Sequence, residues 1–209
     1  MNLTKKLALA IGGSILAALS VHANSVTEVG VLPGTQDVYI NSSLGTNLHV
    51  YAGVVVLNVD GVTTNSFCID PYQWSNPSPD TSYAYRDLAA APIPGNAMGA
   101  ASALTIEELW NKYYVQALGS SSIAAGLQIA IWETVAKGTN EAFSVNGSDF
   151  GAAGMISNLG KLDGPADLIA LSSEGHQDYV VQRVPDGGTT IAMLGLALLG
   201  LGFVRRRLA

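Results

Sequence analysis

The chain has 209 residues, 48% hydrophobic and 12% charged, with 16 acidic residues against 10 basic ones and a formal net charge of −6. Half of the basic residues lie at the two ends, so the stretch from Asn24 to Val184 holds 5 basic against 15 acidic residues, about −10. That balance excludes nucleic acid and anionic lipid surfaces as partners, and the apolar content between the ends suffices for one domain.

Met1 to Ala23 has a basic start at Lys5 and Lys6, an apolar stretch from Leu7 to Val21, and small residues at Val21 and Ala23. It reads as a secretory signal, residues 1–23, cleaved between Ala23 and Asn24. An uncleaved anchor helix is the alternative.

The next segment reads as β structure. Val26 to Leu32, Asp37 to Asn41 and Leu48 to Asp60 are rich in Val, Ile and Tyr, and Asp60-Gly61 is a tight-turn signal that places Cys68 at the end of a hairpin strand. Asn58 to Gly61 has a hint of a calcium loop but lacks the later ligands, so it is better assigned to the turn. Five prolines between Pro71 and Met98 predict a long surface loop.

Two helices follow. Thr105-Ile106-Glu107-Glu108 reads as a capping box opening a helix to about Leu118, and Ser122 is placed to cap a second from Ile123 to Lys137, ended by Gly138. In the second helix Ala124, Leu127, Ile131 and Val135 make an apolar stripe. Gln128 lies at i±4 from Ala124 and Trp132, so its amide faces packed surface. Asp149 to Leu171 is Gly-rich, with Pro165 suited to the first turn of a short helix, and Tyr179 to Val184 returns to a strand pattern. The order predicts an α+β fold, a β-sandwich or barrel-like sheet domain over residues 24–183 with an inserted helical subdomain.

Residues 184–209 form a third segment. Val184-Pro185-Asp186-Gly187-Gly188 precedes an uncharged run of 14 residues from Ile191 to Val204, closed by Arg205, Arg206 and Arg207. The run is shorter than the roughly 17 to 25 residues of a full membrane span, although Thr189 and Thr190 extend it. The three arginines act as a cytoplasmic stop that leaves the rest of the chain outside the inner membrane. This tail resembles the PEP-CTERM sorting signals, in particular the Val-Pro-Asp-Ser-Gly variant, with Gly187 in place of the serine. The resemblance implies processing by an exosortase-type membrane protease. A permanent single-pass anchor is the alternative.

Cys68 is the only cysteine, so an exported chain offers it no disulfide partner of its own, and a glutamine on an apolar helix face is costly to bury. One reaction accounts for both. Attack of the Cys68 thiolate on the Gln128 amide, with loss of ammonia, makes an internal thioester that an amine on another molecule can open. The run Phe67-Cys68-Ile69, followed 60 positions later by Gln128 in Leu127-Gln128-Ile129-Ala130-Ile131-Trp132, resembles the Cys-Gln thioester (TQXA) domains of bacterial surface adhesins. The resemblance covers about Glu28 to Val184 and departs at Leu127, where the named motif has threonine. It implies Cys68 and Gln128 as the bonding pair, with Phe67, Ile69, Ala130 and Trp132 as motif neighbours.

An amide is a poor electrophile for a thiol in water, so the bond needs near-attack geometry and exclusion of water. Phe67, Trp132, Tyr72 and Trp74 are candidates to exclude it, and Asp70 is the nearest candidate for the thiol proton. Other constellations are weaker: His22, His49 and His176 are scattered, and His176 with Asp178 reads as a solvated strand end. No nucleophile elbow, P-loop or zinc spacing is present, so the sequence points to no enzyme, cofactor or metal.

The expectation is thus an exported protein, an inner-membrane intermediate and then a cell-surface or matrix component. It captures amine-bearing ligands covalently and depends on the secretion machinery and an exosortase. The alternative is a non-reactive biofilm structural protein in which Cys68 and Gln128 pack together.

Overall fold

The computed structural model describes residues 25–160 and 164–183. The signal segment with its Ala23–Asn24 junction, Lys161, and the whole tail from Val184 through Arg207 lie outside the described residues. Among the described residues no helix is long and apolar enough to cross a membrane.

The strands are β1 (Val26–Ser42), β2 (Gly45–Val59), β3 (Val62–Cys68), β4 (Ala84–Arg86), β5 (Ser144–Asn146), β6 (Leu168–Ser172) and β7 (Tyr179–Gln182). They form one curled antiparallel sheet in the order β4-β6-β7-β3-β2-β1-β5. Of the two expected arrangements this is the barrel-like one, an open half-barrel. The helices are α1 (Gly99–Ala117), α2 (Ser121–Thr139) and the short α3 (Ala152–Ser157), which enter the chain between β4 and β6.

The sheet's curl begins in its longest hairpin. β1 pairs with β2 along almost its whole length, but the register shifts at Glu28/Gly30 and again at Leu32/Gln36. The second shift takes up Pro33, which has no N–H to give the ladder, and such bulges bend and twist a strand. The two predicted strands, Val26 to Leu32 and Asp37 to Asn41, are therefore one. At the other end of β2, Asp60 and Gly61 both take positive φ, and Gly61 N–H donates to Asn58 Oδ1 at 2.9 Å, closing the tight turn into β3.

Side chains alternate along these strands. Val38, Ile40, Ala52, Val54 and Phe67 point into the main core, while Tyr39, His49 and Tyr51 line the outer face. Helix α2 lies against β1, β2 and β3 from the inside and is flanked by α1 and α3. It is buried on all sides, with 13 of its 19 residues inaccessible, which is why its apolar residues exceed the single stripe read from the sequence. A smaller core of Val26, Leu57, Val59, Tyr83, Leu171, Tyr179 and Val181 draws on β1, β2, β6 and β7.

The helix boundaries differ from the sequence reading for local reasons. Helix α1 begins at Gly99, six residues before Thr105, whose hydroxyl donates to Ala101 O at 2.9 Å from within the helix instead of capping it. Ala100 to Leu104 favours helix, and Ser102 and Ala103 are buried, so packing extends the helix backwards. Helix α2 is capped by Ser120, not Ser122: the Ser120 hydroxyl accepts from Ile123 N–H, and Asn140 in the left-handed conformation ends the helix. Pro165 starts no helix. Asp149 does, its carboxylate accepting from Gly151 and Ala153 N–H at 3.0 and 3.2 Å ahead of α3. The predicted loop from Pro71 to Met98 includes β4 and a 3-10 turn at Leu88–Ala90.

Gly138 does not end α2. A Cβ there would overlap the Met98 carbonyl oxygen and lie 2.5 Å from Ser102 Oγ, so the absent side chain is what lets α2 approach the start of α1. Gly138→Ala gains about 1 kcal/mol of helix propensity but forces the two helices apart, at about 1–3 kcal/mol for overpacking. The urea midpoint is expected to fall. A rise would show that the helix contact yields freely.

Candidate functional site

The β2–β3 turn sets the register that carries Cys68 to the end of β3, opposite Tyr179 of β7. Helix α2 crosses behind it and directs Gln128 at the same point. Both residues are buried, Cys68 at 2% exposure and Gln128 at 1%. The Gln128 amide is docked on the main chain of Cys68: Cys68 N–H donates to Gln128 Oε1 at 3.0 Å, and Gln128 Nε2–H donates to Cys68 O at 2.8 Å. The glutamine is thus satisfied at a buried site, and its carbonyl carbon is held beside the residue that carries the sulfur.

The sulfur accepts two hydrogen bonds of its own. Trp132 Nε1–H, one turn along α2 from Gln128, donates to Sγ at 3.1 Å, and Asp70 N–H donates at 3.3 Å. Burial pushes the Cys68 thiol well above its ordinary range; the Trp132 bond pulls the other way, and the charge of Asp70 adds to the rise. The site therefore holds a neutral thiol with donors already aimed at the thiolate.

The motif neighbours divide between sulfur and core. Phe67 is fully buried and meets Trp110 of α1 edge-on at 5.5 Å, Ile69 is fully buried, and Ala130 is a buried α2 residue whose carbonyl accepts from the Thr134 hydroxyl. Trp132 alone among them touches the sulfur, and Phe143 packs on its ring at 6.0 Å. Of the two loop aromatics, Tyr72 is half-buried against the core, whereas Trp74 is 58% exposed and covers nothing. Leu127, the motif departure, is fully buried.

Two carboxyls complete the surroundings. Asp70 is 2% exposed; its Oδ1 accepts from Tyr72 N–H at 3.0 Å, and the Gln73 side chain and Asp178 N–H lie beside the carboxyl. Asp178 is fully buried just before β7, with Oδ1 accepting from Ser173 N–H at 2.8 Å and Oδ2 from Ile93 N–H at 2.9 Å. Its main-chain carbonyl accepts from Ile69 N–H, tying this turn to the segment beyond Cys68. Burial raises the Asp70 carboxyl to about 6 and that of Asp178 to about 7.

This corrects the sequence reading of His176 with Asp178 as a solvated strand end. His176 instead meets Asp80 at 2.6 Å, and Asp178 belongs to the buried site. Its role was hidden because Ile93 comes from a loop 85 residues earlier, and no local spacing announces its convergence with the Ser173–Asp178 turn. Among the described residues no group of three or more His, Cys, Asp or Glu side chains is placed to hold a metal ion.

Residues 183–208 match the VPDSG-CTERM motif. The match supports a C-terminal sorting signal and with it an exported surface protein, processed by an exosortase in association with the membrane. No curated protein and no solved structure matches the chain.

Proposed function

We propose that the exported domain carries an internal Cys68–Gln128 thioester through which it captures amine-bearing surface or matrix ligands covalently. The observation that favours this reading is the docking of the Gln128 amide on Cys68 with two N–H donors on the sulfur. Each bond has a chemical use. Cys68 N–H polarises the amide carbonyl and stabilises the oxyanion that forms on attack, and the Trp132 and Asp70 N–H groups favour the thiolate. Burial keeps water from hydrolysing the product. An incoming amine then attacks the thioester carbonyl, forms an amide with the Gln128 side chain and leaves Cys68 as a thiol.

An incoming amine would approach past Phe143, since Cys68, Gln128 and Trp132 do not themselves line the hollow on that side. Phe143, which packs on Trp132, also lines an open hollow of about 780 Å³ whose rim includes Glu133, Lys137, Glu141 and Asp149. The three carboxylates against one lysine suit a protonated amine during approach.

A second reading has its own support. The same pair of hydrogen bonds is a complete structural solution for a buried glutamine, so the protein also serves as a non-reactive matrix component if no bond forms. Intact mass of freshly purified exported domain separates the two. The wild type is expected to fall short of its sequence mass by one ammonia, to resist alkylation at Cys68, and to gain one methylamine on incubation with it. Cys68→Ala should show neither change. A full wild-type mass with a freely alkylated Cys68 overturns the thioester reading.

A further inference from the structure

We propose that Phe143 is a gate on the Cys68–Gln128 bond, and that its ring decides which amines reach it: slender, unbranched primary amines ahead of branched ones. This assignment rests on the thioester reading above and names the selectivity of the same site.

The residues that make and shield the bond are closed to solvent. Cys68, Gln128 and Trp132 are all buried, so an amine in solution meets none of them directly. Outward from the sulfur the sequence of contacts is short. Cys68 Sγ accepts from Trp132 Nε1–H at 3.1 Å, and the indole packs on Phe143 with ring centroids 6.0 Å apart and planes tilted by 58°. Phe143 in turn lines the hollow of about 780 Å³, which Trp132 does not. Phe143 is therefore the outer of two rings in series, with the hollow on one side and the indole on the other.

The two rings are held differently. Trp132 lies within α2, a helix packed on all sides, and its N–H is committed to the sulfur. Phe143 lies on a short strap between α2 and β5. The strap leaves the helix at Asn140, which takes a φ of 59°, and is fastened there by Asn96 Nδ2–H on Thr139 O and by Glu141 N–H on Ala136 O, both at 3.2 Å. Its far end is fastened where Ser144 pairs with Asn41 of β1. Between these points Asn140, Glu141 and Ala142 are exposed, and Phe143 is the residue whose side chain packs on the core. A half-buried ring beside an open hollow changes rotamer at little cost, because the hollow has room to receive it.

The chemistry makes such a gate selective. An unprotonated amine nitrogen attacks Gln128 Cδ, the Cδ–Sγ bond breaks, and the proton lost by the nitrogen ends on the departing sulfur. No other reactant enters. With the ring in place the bond is covered, which protects it from water. With the ring turned out, a nucleophile enters through the space that one side chain vacates. A CH₂–NH₂ terminus passes through an opening of that width, whereas a branch on the carbon bearing the nitrogen meets its walls, and one misplaced carbon in a tight passage is worth about tenfold or more in rate.

The experiment compares n-butylamine with sec-butylamine, which share composition and have similar basicity. Capture by the exported domain and hydrolysis of its thioester are followed by intact mass at one pH, and a small thioester free in solution supplies the intrinsic ratio of the two amines. Wild type is expected to favour n-butylamine by about tenfold or more beyond that ratio. Phe143→Ala should quicken hydrolysis and bring the preference back toward the free thioester, with Phe143→Leu between the two. Circular dichroism and the urea midpoint establish that each variant folds. A ring that only stabilises the fold would, when removed, speed both amines by the same factor and leave their ratio unchanged. An unchanged ratio in both variants, or a wild type with no preference beyond the free thioester, overturns the gate while leaving the thioester intact. A wild type of full sequence mass overturns both.

Discussion

Gln128→Leu, made in a Cys68→Ala background where no covalent bond can form, is expected to lower the unfolding free energy by about 2–6 kcal/mol. The size follows from what the leucine leaves behind. Cys68 N–H loses the Gln128 Oε1 acceptor and Cys68 O loses the Nε2 donor, and each unsatisfied buried backbone group costs about 1–3 kcal/mol. Leucine fills a similar volume, so the cavity term is small. Urea unfolding of the single and double variants measures the difference directly. A double variant within about 0.5 kcal/mol of Cys68→Ala would show that the strand end finds other partners and that the glutamine is not structurally required.

This result bears on both readings of the site. A large cost means that the amide is held against Cys68 by the fold whether or not the bond forms, which is the preorganisation that attack on an unactivated amide demands. A small cost means that the contact is incidental, and the geometric support for the thioester disappears with it. The covalent and structural readings therefore share one prediction here and part only at the intact mass.

Much of the geometry was legible because it is local. Asp60-Gly61 announces the turn that delivers Cys68 to a strand end, and the i±4 spacing of Ala124, Gln128 and Trp132 puts the amide and the indole on one side of a helix. The rest depended on tertiary packing. Thr105 carries a capping signal, but Ser102 and Ala103 have a buried surface to meet and the helix runs through it. The strand pattern lapses between Leu32 and Asp37, yet a bulge carries β1 through that stretch. Asp178 sits beside His176 in sequence but turns inward to the N–H groups of Ser173 in its own loop and Ile93 in another, and Trp74 neighbours Tyr72 but faces solvent. The sorting signal was legible for a different reason: its motif, apolar run and arginines are contiguous, so no fold is needed to assemble them.

Trp132→Ala combines the largest packing loss with the clearest chemical consequence. The indole is 3% exposed, packs against Phe143, and gives its N–H to Cys68 Sγ. Truncating a buried tryptophan costs about 3–5 kcal/mol, and the space left beside the sulfur admits water. The expected result is a strongly destabilised protein whose thioester, in the molecules that still fold, hydrolyses faster than in wild type. Trp132→Phe separates the two contributions, since it keeps most of the ring but removes the donor. Its thioester should form more slowly, because the thiolate loses one of its two N–H partners, and once formed should last nearly as long as in wild type. Thioester lifetime by intact mass in neutral buffer, alongside urea unfolding, reads both effects. Equal lifetimes for wild type and a folded Trp132→Ala protein would show that the indole does not shield the bond. Equal formation rates for wild type and Trp132→Phe would show that the hydrogen bond to sulfur has no part in making it.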